Sequence, residues 1–345
     1  MSSKPGLLRI TVLAAAGLLL AAPIARAQSL LFNSFTPQSS AIYTDVIGPW
    51  LKDIEKETEG RVKFSVPAQS LAPPPEQLNM VTGGVADAAY IYSGFLQLAN
   101  PTLQMGFLPG VNTSGKADAV ALWRTYQKFF AEKNPVKGVH VVGFFGVPPA
   151  HIFNIKKESI LSLEFYRGKK AWAQPGPPAQ TMAALGASVV PGPAVRAYDI
   201  VSKGIVDAFC CIDFGDLNAF KLTPFVGAVT RIEGGIFAAK FTVFFSQRKW
   251  AEISPRDREI IMKLSGEALA RRSEALDLVD ARLMKAYKDG GGIIAEAPAA
   301  FNAALKQPFE ALGRKWIESV KPLGIDGRAA LDFYLAEAKK VAAGN

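Results

Sequence analysis

The side chains that could do chemistry here are few. Cys210 and Cys211 are the only cysteines and stand side by side, while the only histidines, His140 and His151, are separated in the chain. Two cysteines and two separated histidines make no metal-ligand spacing. No Ser-His-Asp set, nucleotide-binding glycine loop or general base with a partner is visible. These residues read as ligand-contacting rather than catalytic, with no metal and no cofactor expected. Exposed thiols rarely survive unpaired in an oxidising compartment. Phe209 and Ile212 flank the cysteines and suggest burial, which leaves two readings open: inert buried thiols, or a vicinal disulfide forming a rigid ring at a cleft. Asp213 and Asp216 follow closely. They suit a ligand amine or hydroxyl, or the capping of the next helix. Phe35 and Tyr92 end strand-like runs, where open α/β sheets bind ligands; core packing is their other use. His151 is a ligand candidate or a satisfied structural residue.

A repeat shows what frame would hold these groups. Val81-Thr82-Gly83-Gly84-Val85-Ala86-Asp87-Ala88 returns 120 residues later as Val201-Ser202-Lys203-Gly204-Ile205-Val206-Asp207-Ala208. Each copy lies between a helix-like stretch and an apolar run, Tyr90-Ile91-Tyr92 and Phe209-Cys210-Cys211-Ile212. A helix stopped by Gly and followed by a buried strand is half of a parallel-sheet unit. Two such units predict two similar α/β domains, and two facing domains make a cleft. Before the first copy, Leu30–Phe35 reads as a strand and Ala41–Glu57 as a helix, with Ile42, Val46, Trp50 and Ile54 on one face. Arg61–Val66 alternates as a strand, Pro73-Pro74-Pro75 forces a loop, and Glu76 opens another helix. A second α/β block starts near Val147, with a strand at Lys170–Ala173. Ser254-Pro255 starts a helix. Apart from Gly266, neither Pro nor Gly interrupts the chain until Gly290, so one long helix is expected, on the order of 50 Å at 1.5 Å per residue. A break near Gly266 is the alternative.

At the amino end, Lys4 and Arg9 precede an apolar stretch from Ile10 to Ala22, and Ala25-Arg26-Ala27 has the form of a signal-peptidase site. The stretch is short for a bilayer, which takes about 20 residues. Cleavage after Ala27 would leave Gln28 first, in a soluble protein exported to a periplasm. Of the formal net charge of +9, three charges (Lys4, Arg9 and Arg26) would leave with the leader. The remaining basic residues are scattered without a block or an RNA-binding aromatic motif, which argues against a nucleic-acid partner.

Several short motifs occur in a telling order: Thr58-Glu59-Gly60-Arg61-Val62 before a strand, Gly84-Val85-Ala86-Asp87-Ala88, Phe107-Leu108-Pro109, Gly168-Lys169-Lys170, Leu185-Gly186-Ala187 and Gly204-Ile205-Val206-Asp207-Ala208. With Trp250 and the helix after Ser254-Pro255, they make the chain resemble the extracytoplasmic solute-binding proteins of TRAP transporters, the DctP-like family. The resemblance implies a two-lobed α/β periplasmic binding protein of type II-like form, with hinge strands and a long lobe-spanning helix. It also implies a monomer that binds a small organic ligand between its lobes and hands it to TRAP permease subunits. The expected division is residues 28–148 plus about 240–285 in the first lobe, and 149–239 plus about 286–345 in the second. A binding protein of an ABC or tripartite tricarboxylate importer is the alternative, and a periplasmic enzyme a more distant one.

One departure bears on specificity. Where the family's Gly-x-Lys-x-Arg strand carries an Arg that grips a substrate carboxylate, this chain has Gly168-Lys169-Lys170-Ala171-Trp172. An indole has one N–H donor and no charge, so it cannot replace a guanidinium fork. The family's Asn past the second Gly-x-x-Asp falls near Cys211, and a second basic position has only His151 nearby. Trp172, with Phe35, Tyr92 and Phe237, then suggests a cleft rich in aromatic surface. Such a cleft suits an aromatic, apolar or neutral ligand better than a C4-dicarboxylate. Any carboxylate would be held by backbone N–H groups, His151 or Gln174, unless Arg124, Arg167 or Arg196 reaches the cleft.

Overall fold

The computed structural model describes residues 28–98 and 100–344. The expected leader and its cleavage site lie outside these residues. Eleven strands occur among them: β1 Gln28–Asn33, β2 Val62–Ser65, β3 Ala88–Tyr92, β4 Val139–Gly146, β5 Ile152–Asn154, β6 Lys170–Ala173, β7 Ser188–Pro191, β8 Ala208–Cys210, β9 Ala228–Arg231, β10 Lys240–Ser246 and β11 Ile293–Glu296. They form two sheets, one in the order β2-β1-β3-β10-β4 and one in the order β11-β9-β5-β8-β6-β7. The chain crosses between them at 147–151, returns at 232–239, and crosses again along the helix Glu274–Asp289. Among the described residues, no helix is long and apolar enough to cross a membrane.

The repeat lies once in each lobe, and its glycine and aspartate do the same work twice. Gly84 (φ 78°) and Gly204 (φ 65°) take the left-handed conformation that ends each preceding helix. The Asp87 N–H donates to the Leu31 carbonyl at 2.9 Å, and its carboxylate accepts from the Leu31 N–H at 2.9 Å. In the second lobe the Asp207 N–H donates to the Lys170 carbonyl at 2.8 Å, and its carboxylate accepts from the Lys170 N–H at 2.9 Å. Each aspartate thus ties the start of one strand to the parallel strand beside it, β3 to β1 and β8 to β6. The Asp207 carboxyl is held below the usual range, first by the Lys170 N–H, against the opposing effect of burial, and then by Lys169.

The long helix after Ser254-Pro255 is interrupted. Helices Pro255–Leu264, Gly266–Arg271 and Glu274–Asp289 follow one another, with Ser265 extended between the first two. The break is a tertiary accommodation. A Cβ on Gly143 would lie 3.0 Å from the Gly266 nitrogen, and one on Gly266 (φ 53°) would lie 2.8 Å from the Trp123 ring. Ser265 also accepts from the Trp50 indole N–H at 3.2 Å. Strand β4 and the Trp123 ring therefore lie close against the backbone at the break. Of these three helices it is Glu274–Asp289 that bridges the lobes, about 24 Å long at 1.5 Å per residue.

Two carboxylates on that bridge grip one lobe each. Asp277 accepts from the N–H groups of Gly115 (2.7 Å) and Lys116 (3.0 Å), at the start of the first-lobe helix Gly115–Thr125. One turn on, Asp280 accepts from the Phe214 N–H at 2.6 Å, at the start of the second-lobe helix Phe214–Ala219. Both place an acid where a helix end leaves N–H groups unpaired.

The assignment of 286–345 to the second lobe needs correction at its far end. The helix Ala299–Val320 buries Phe301 and Leu305 beside second-lobe residues such as Tyr166 and Ile236. Farther along, Trp316 donates to the Pro101 carbonyl at 3.1 Å. The helix Gly327–Ala342 then packs on Gly115–Thr125, burying Ala330, Leu331, Tyr334 and Ala338 in a first-lobe core.

Candidate functional site

The strand ends converge on the seam between the lobes. Past β1 come Phe35 and Thr36; past β3, Phe95; past β6, Gln174; past β7, Pro193, Ala194 and Val195; past β8, Asp213 and Asp216. Two cavities of about 40 Å³ each lie there. They share Thr36, Ile42, Asp216 and Phe220 and so form one interrupted cleft. Phe35, Tyr92, Phe95 and Phe241 line one wall; Gln174, Ala194, Val195 and Phe220 line the other. Each cavity is little larger than one water's share of liquid volume, about 30 Å³. A ring-sized ligand therefore requires the lobes to part. A larger groove of about 1010 Å³ runs outside, along Pro109–Thr113 and the two carboxyl-terminal helices. Only β9 ends beside that groove, at Ile232–Gly234, whereas the segments past β1, β3, β6, β7 and β8 all reach the seam, so the seam is the candidate site.

Of the residues singled out from sequence, Phe35, Tyr92 and Gln174 line the cleft cavity, and Asp213 lines its neighbour. The Tyr92 ring meets Phe95 edge-on at 5.1 Å and Phe241 at 6.1 Å. Its hydroxyl is buried without a hydrogen-bond partner among the described residues, and burial keeps it protonated, well above the usual tyrosine value. The other four lie elsewhere. Trp172 is fully buried in the second-lobe core with Phe153 and Phe209, and its indole N–H finds no partner among the described residues. It fills volume behind the Ala194 wall rather than offering a ring to the cleft. Phe237 stacks on Phe107 at 5.6 Å, one layer behind Tyr92. His151 is buried, its Nδ1 unpaired. Burial, then the charge of Arg231, lowers it to about 4, so the ring is neutral.

Cys211 contributes through its backbone. Cys210 and Cys211 form a vicinal disulfide, which settles the two readings left open above. Cys211 has φ 72°, a conformation few non-glycine residues adopt. Its N–H donates to the His151 carbonyl at 3.4 Å, and its carbonyl accepts from Gln174 Nε2 at 3.3 Å. The disulfide segment thereby sets the orientation of a cleft-lining amide.

Of the two possible roles of the aspartates, helix capping is seen, at Asp213, which accepts from the Asp216 N–H at 2.7 Å. Asp216 points no carboxylate oxygen at any hydrogen-bond or ion-pair partner among the described residues, and it borders both cavities. Burial, then the neighbouring charges of Asp213 and Asp280, holds its carboxyl well above the usual range. No Lys, Arg or His lines either cavity. Arg124 is engaged by Glu267 and Glu337, Arg167 by Glu164, and Arg196 by Asp199, so none replaces the missing guanidinium. Sequence reading missed Phe241, Phe220 and the Pro193–Val195 wall. The spacing of Asp216 and Phe220, four apart on one helical face, was the available signal.

Comparison with known proteins places this architecture. The chain is 36% identical over 329 residues to the outer membrane transporter protein TsaT of Comamonas testosteroni, covering 94% of this chain and 97% of that one. It is similar in structure to a TRAP periplasmic solute-binding protein from Bordetella bronchiseptica with bound (R)- and (S)-mandelate, at 26% identity and TM-score 0.86, covering 91% and 99% of the two chains. It is likewise similar to a marine-metagenome TRAP solute-binding protein specific for aromatic acids, in complex with 3-hydroxybenzoate, at 25% identity and TM-score 0.82, again covering 91% and 99%. The family profile of the bacterial extracellular solute-binding proteins, family 7, matches residues 32–319. Proteins of this kind bind a small organic solute between two lobes and deliver it to a membrane permease. With two lobes, a closed seam and a match across most of its length, this chain belongs to that family, DctP, and is a TRAP solute-binding receptor.

Proposed function

We propose that this receptor is non-catalytic and takes an aromatic-ring solute, an aromatic acid above all, rather than a C4-dicarboxylate. The observation that carries the reading is a seam cavity walled by Phe35, Tyr92, Phe95, Phe220 and Phe241 without a cation. A small dicarboxylate has two charges to neutralise and little apolar surface, so this cleft would desolvate it without compensation. A ring recovers free energy by stacking and burial. The ligands of the mandelate and 3-hydroxybenzoate receptors support the same class. On this reading Phe35, Tyr92, Gln174 and Asp213 lie at the ligand. Cys211, Trp172, His151 and Phe237 support that wall from behind. A thermal-shift screen checks the reading. A ligand at a hundred times its Kd stabilises by about 2.7 kcal/mol, which is a rise of several degrees in Tm. Benzoate, mandelate or 3-hydroxybenzoate is expected to produce it; a rise with succinate or malate alone would overturn the proposal.

We further propose that the receptor works as a monomer in the periplasm after cleavage behind Ala27. Mass spectrometry of the periplasmic protein is then expected to find Gln28 at the amino terminus. Retention of any residue before it would show the site to be wrong.

A further inference from the structure

We propose that Asp216 recognises the ligand as a carboxylic acid, donating its proton to the carboxylate of an aromatic acid, so that this receptor holds an anion without using a cation. This rests on the aromatic-acid reading above and adds how the acid group is held.

The geometry leaves few other ways to hold a carboxylate here. Asp216 is the one lining residue of the Phe-rich cavity with an ionisable carboxyl, and that cavity has no Lys, Arg or His. Its side chain is partly buried, and no cation lines the cavities it borders among the described residues. The charged groups around it are all acids. Asp213 caps its own helix, and Asp280 comes from the bridging helix, with Asp277 beyond it acting on Asp213 and Asp280. The loop from Thr36 to Ile42 brings only hydroxyls and apolar groups to the cavities, and the Pro193–Val195 segment brings no titratable side chain. Ionised, Asp216 would stand among like charges with nothing to offset them, and it would repel an anionic ligand. Protonated, it is a neutral donor facing an apolar cavity. Burial, then the neighbouring Asp213 and Asp280, shifts the balance toward that form.

A second observation points the same way. Tyr92, 2% exposed, lines the same cavity, and its hydroxyl has no partner. The Tyr92 hydroxyl and a protonated, partly buried Asp216 on the facing lobe would provide two donors and no charge, which is complementary to the two oxygens of a carboxylate. An arene between Phe35, Phe95, Phe220 and Phe241 would carry that carboxylate. In the complex one proton lies between the Asp216 and ligand carboxyl oxygens. Above the pKa of free Asp216, binding therefore takes up one proton from solvent.

Isothermal titration of the full mature chain with 3-hydroxybenzoate and mandelate from pH 6 to pH 9 tests this. The ligands are ionised throughout. The wild-type Kd is expected to weaken toward the alkaline end of that range, with proton uptake there in buffers of differing ionisation enthalpy. Asp216→Asn keeps an N–H donor and cannot titrate. Its Kd is expected to stay within about twofold across the range, and the variant should bind more tightly than wild type at pH 9. A wild-type Kd that is flat or tightens with pH, or a slope that persists in Asp216→Asn, would overturn the role of Asp216 alone. Failure of both acids and of benzoate to bind at pH 6 would overturn the aromatic-acid reading, and this inference with it.

Discussion

Replacing Lys240 with methionine is expected to destabilise the protein by about 3–5 kcal/mol, the usual range for breaking a buried ion pair from one side. Lys240 opens β10, the strand on which the chain returns to the first lobe from the 232–239 crossing. Its ammonium group donates to Asn112 Oδ1 at 2.8 Å and to Asp118 Oδ2 at 3.2 Å. The side chains of Lys240 and Asp118 are both fully buried. Burial pushes Asp118 up and Lys240 down, and their attraction offsets only part of this. Removing the ammonium leaves a buried acid that must either stay charged without a partner or take up a proton. A fall in Tm on the order of 10 °C should follow in the ligand-free protein. Because the cost is that of an orphaned charge, Lys240→Met with Asp118→Asn should recover much of it. A single variant within about 1 kcal/mol of wild type would show that the pair does not anchor the strand.

The second large effect concerns Asp280. Burial first, then the charges of Asp213 and Asp277, raises it to about 8, against opposing help from the Phe214 N–H and Arg231. An aspartate in the unfolded chain titrates near 4. A folded value above the unfolded one gives stability that is fully present below about pH 4 and lost as pH rises through about 8. Asp213, raised to about 6 by burial first, acts in the same direction over a narrower window. The ligand-free protein should therefore lose stability steadily from pH 5 to pH 9. Asp280→Asn keeps an oxygen for the Phe214 N–H and removes the titration. At pH 9 the variant is expected to be more stable than wild type, on the order of 2–3 kcal/mol, with a flatter profile. Parallel stability curves for the two proteins would contradict this assignment.

How much of this was legible in the sequence depended on how local the cause was. Gly84-Asp87 and Gly204-Asp207 announced two parallel-sheet units because the glycine turn that ends each helix and the strand after it lie within a few residues, although the aspartate bonds reach distant strands. Phe35, Tyr92, Gln174 and Asp213 could be placed at the cleft because strand ends are where such sheets open. The helix break at Ser265 was open to either reading, since its cause is the approach of Gly143 and the Trp123 ring from elsewhere in the chain. Trp172 misled for a similar reason. A strand of four residues has two faces, and its sequence does not say which of them borders the cleft. Asp216 and Asp213 were equivalent in type and position; only the fold made one a helix cap and left the other unpartnered. The return of the last helix to the first lobe carried no composition signal at all.

Strand order also governs when each lobe can fold. Strands β3 and β4 do not touch; β10 lies between them, antiparallel to both. A chain emerging amino end first presents two separated halves of the first sheet until Lys240–Ser246 arrives, with the edges of β3 and β4 unpaired meanwhile. Five of the six second-lobe strands, β5 to β9, come from the uninterrupted stretch between Ile152 and Arg231 and can pair as soon as that stretch is available. The lobe synthesised second is thus positioned to assemble first. The amino-terminal lobe closes late, around a strand more than 90 residues downstream of β4, and long-range pairing of this kind folds slowly. The passage from translocation to the folded receptor therefore holds a window in which open sheet edges need protection from aggregation.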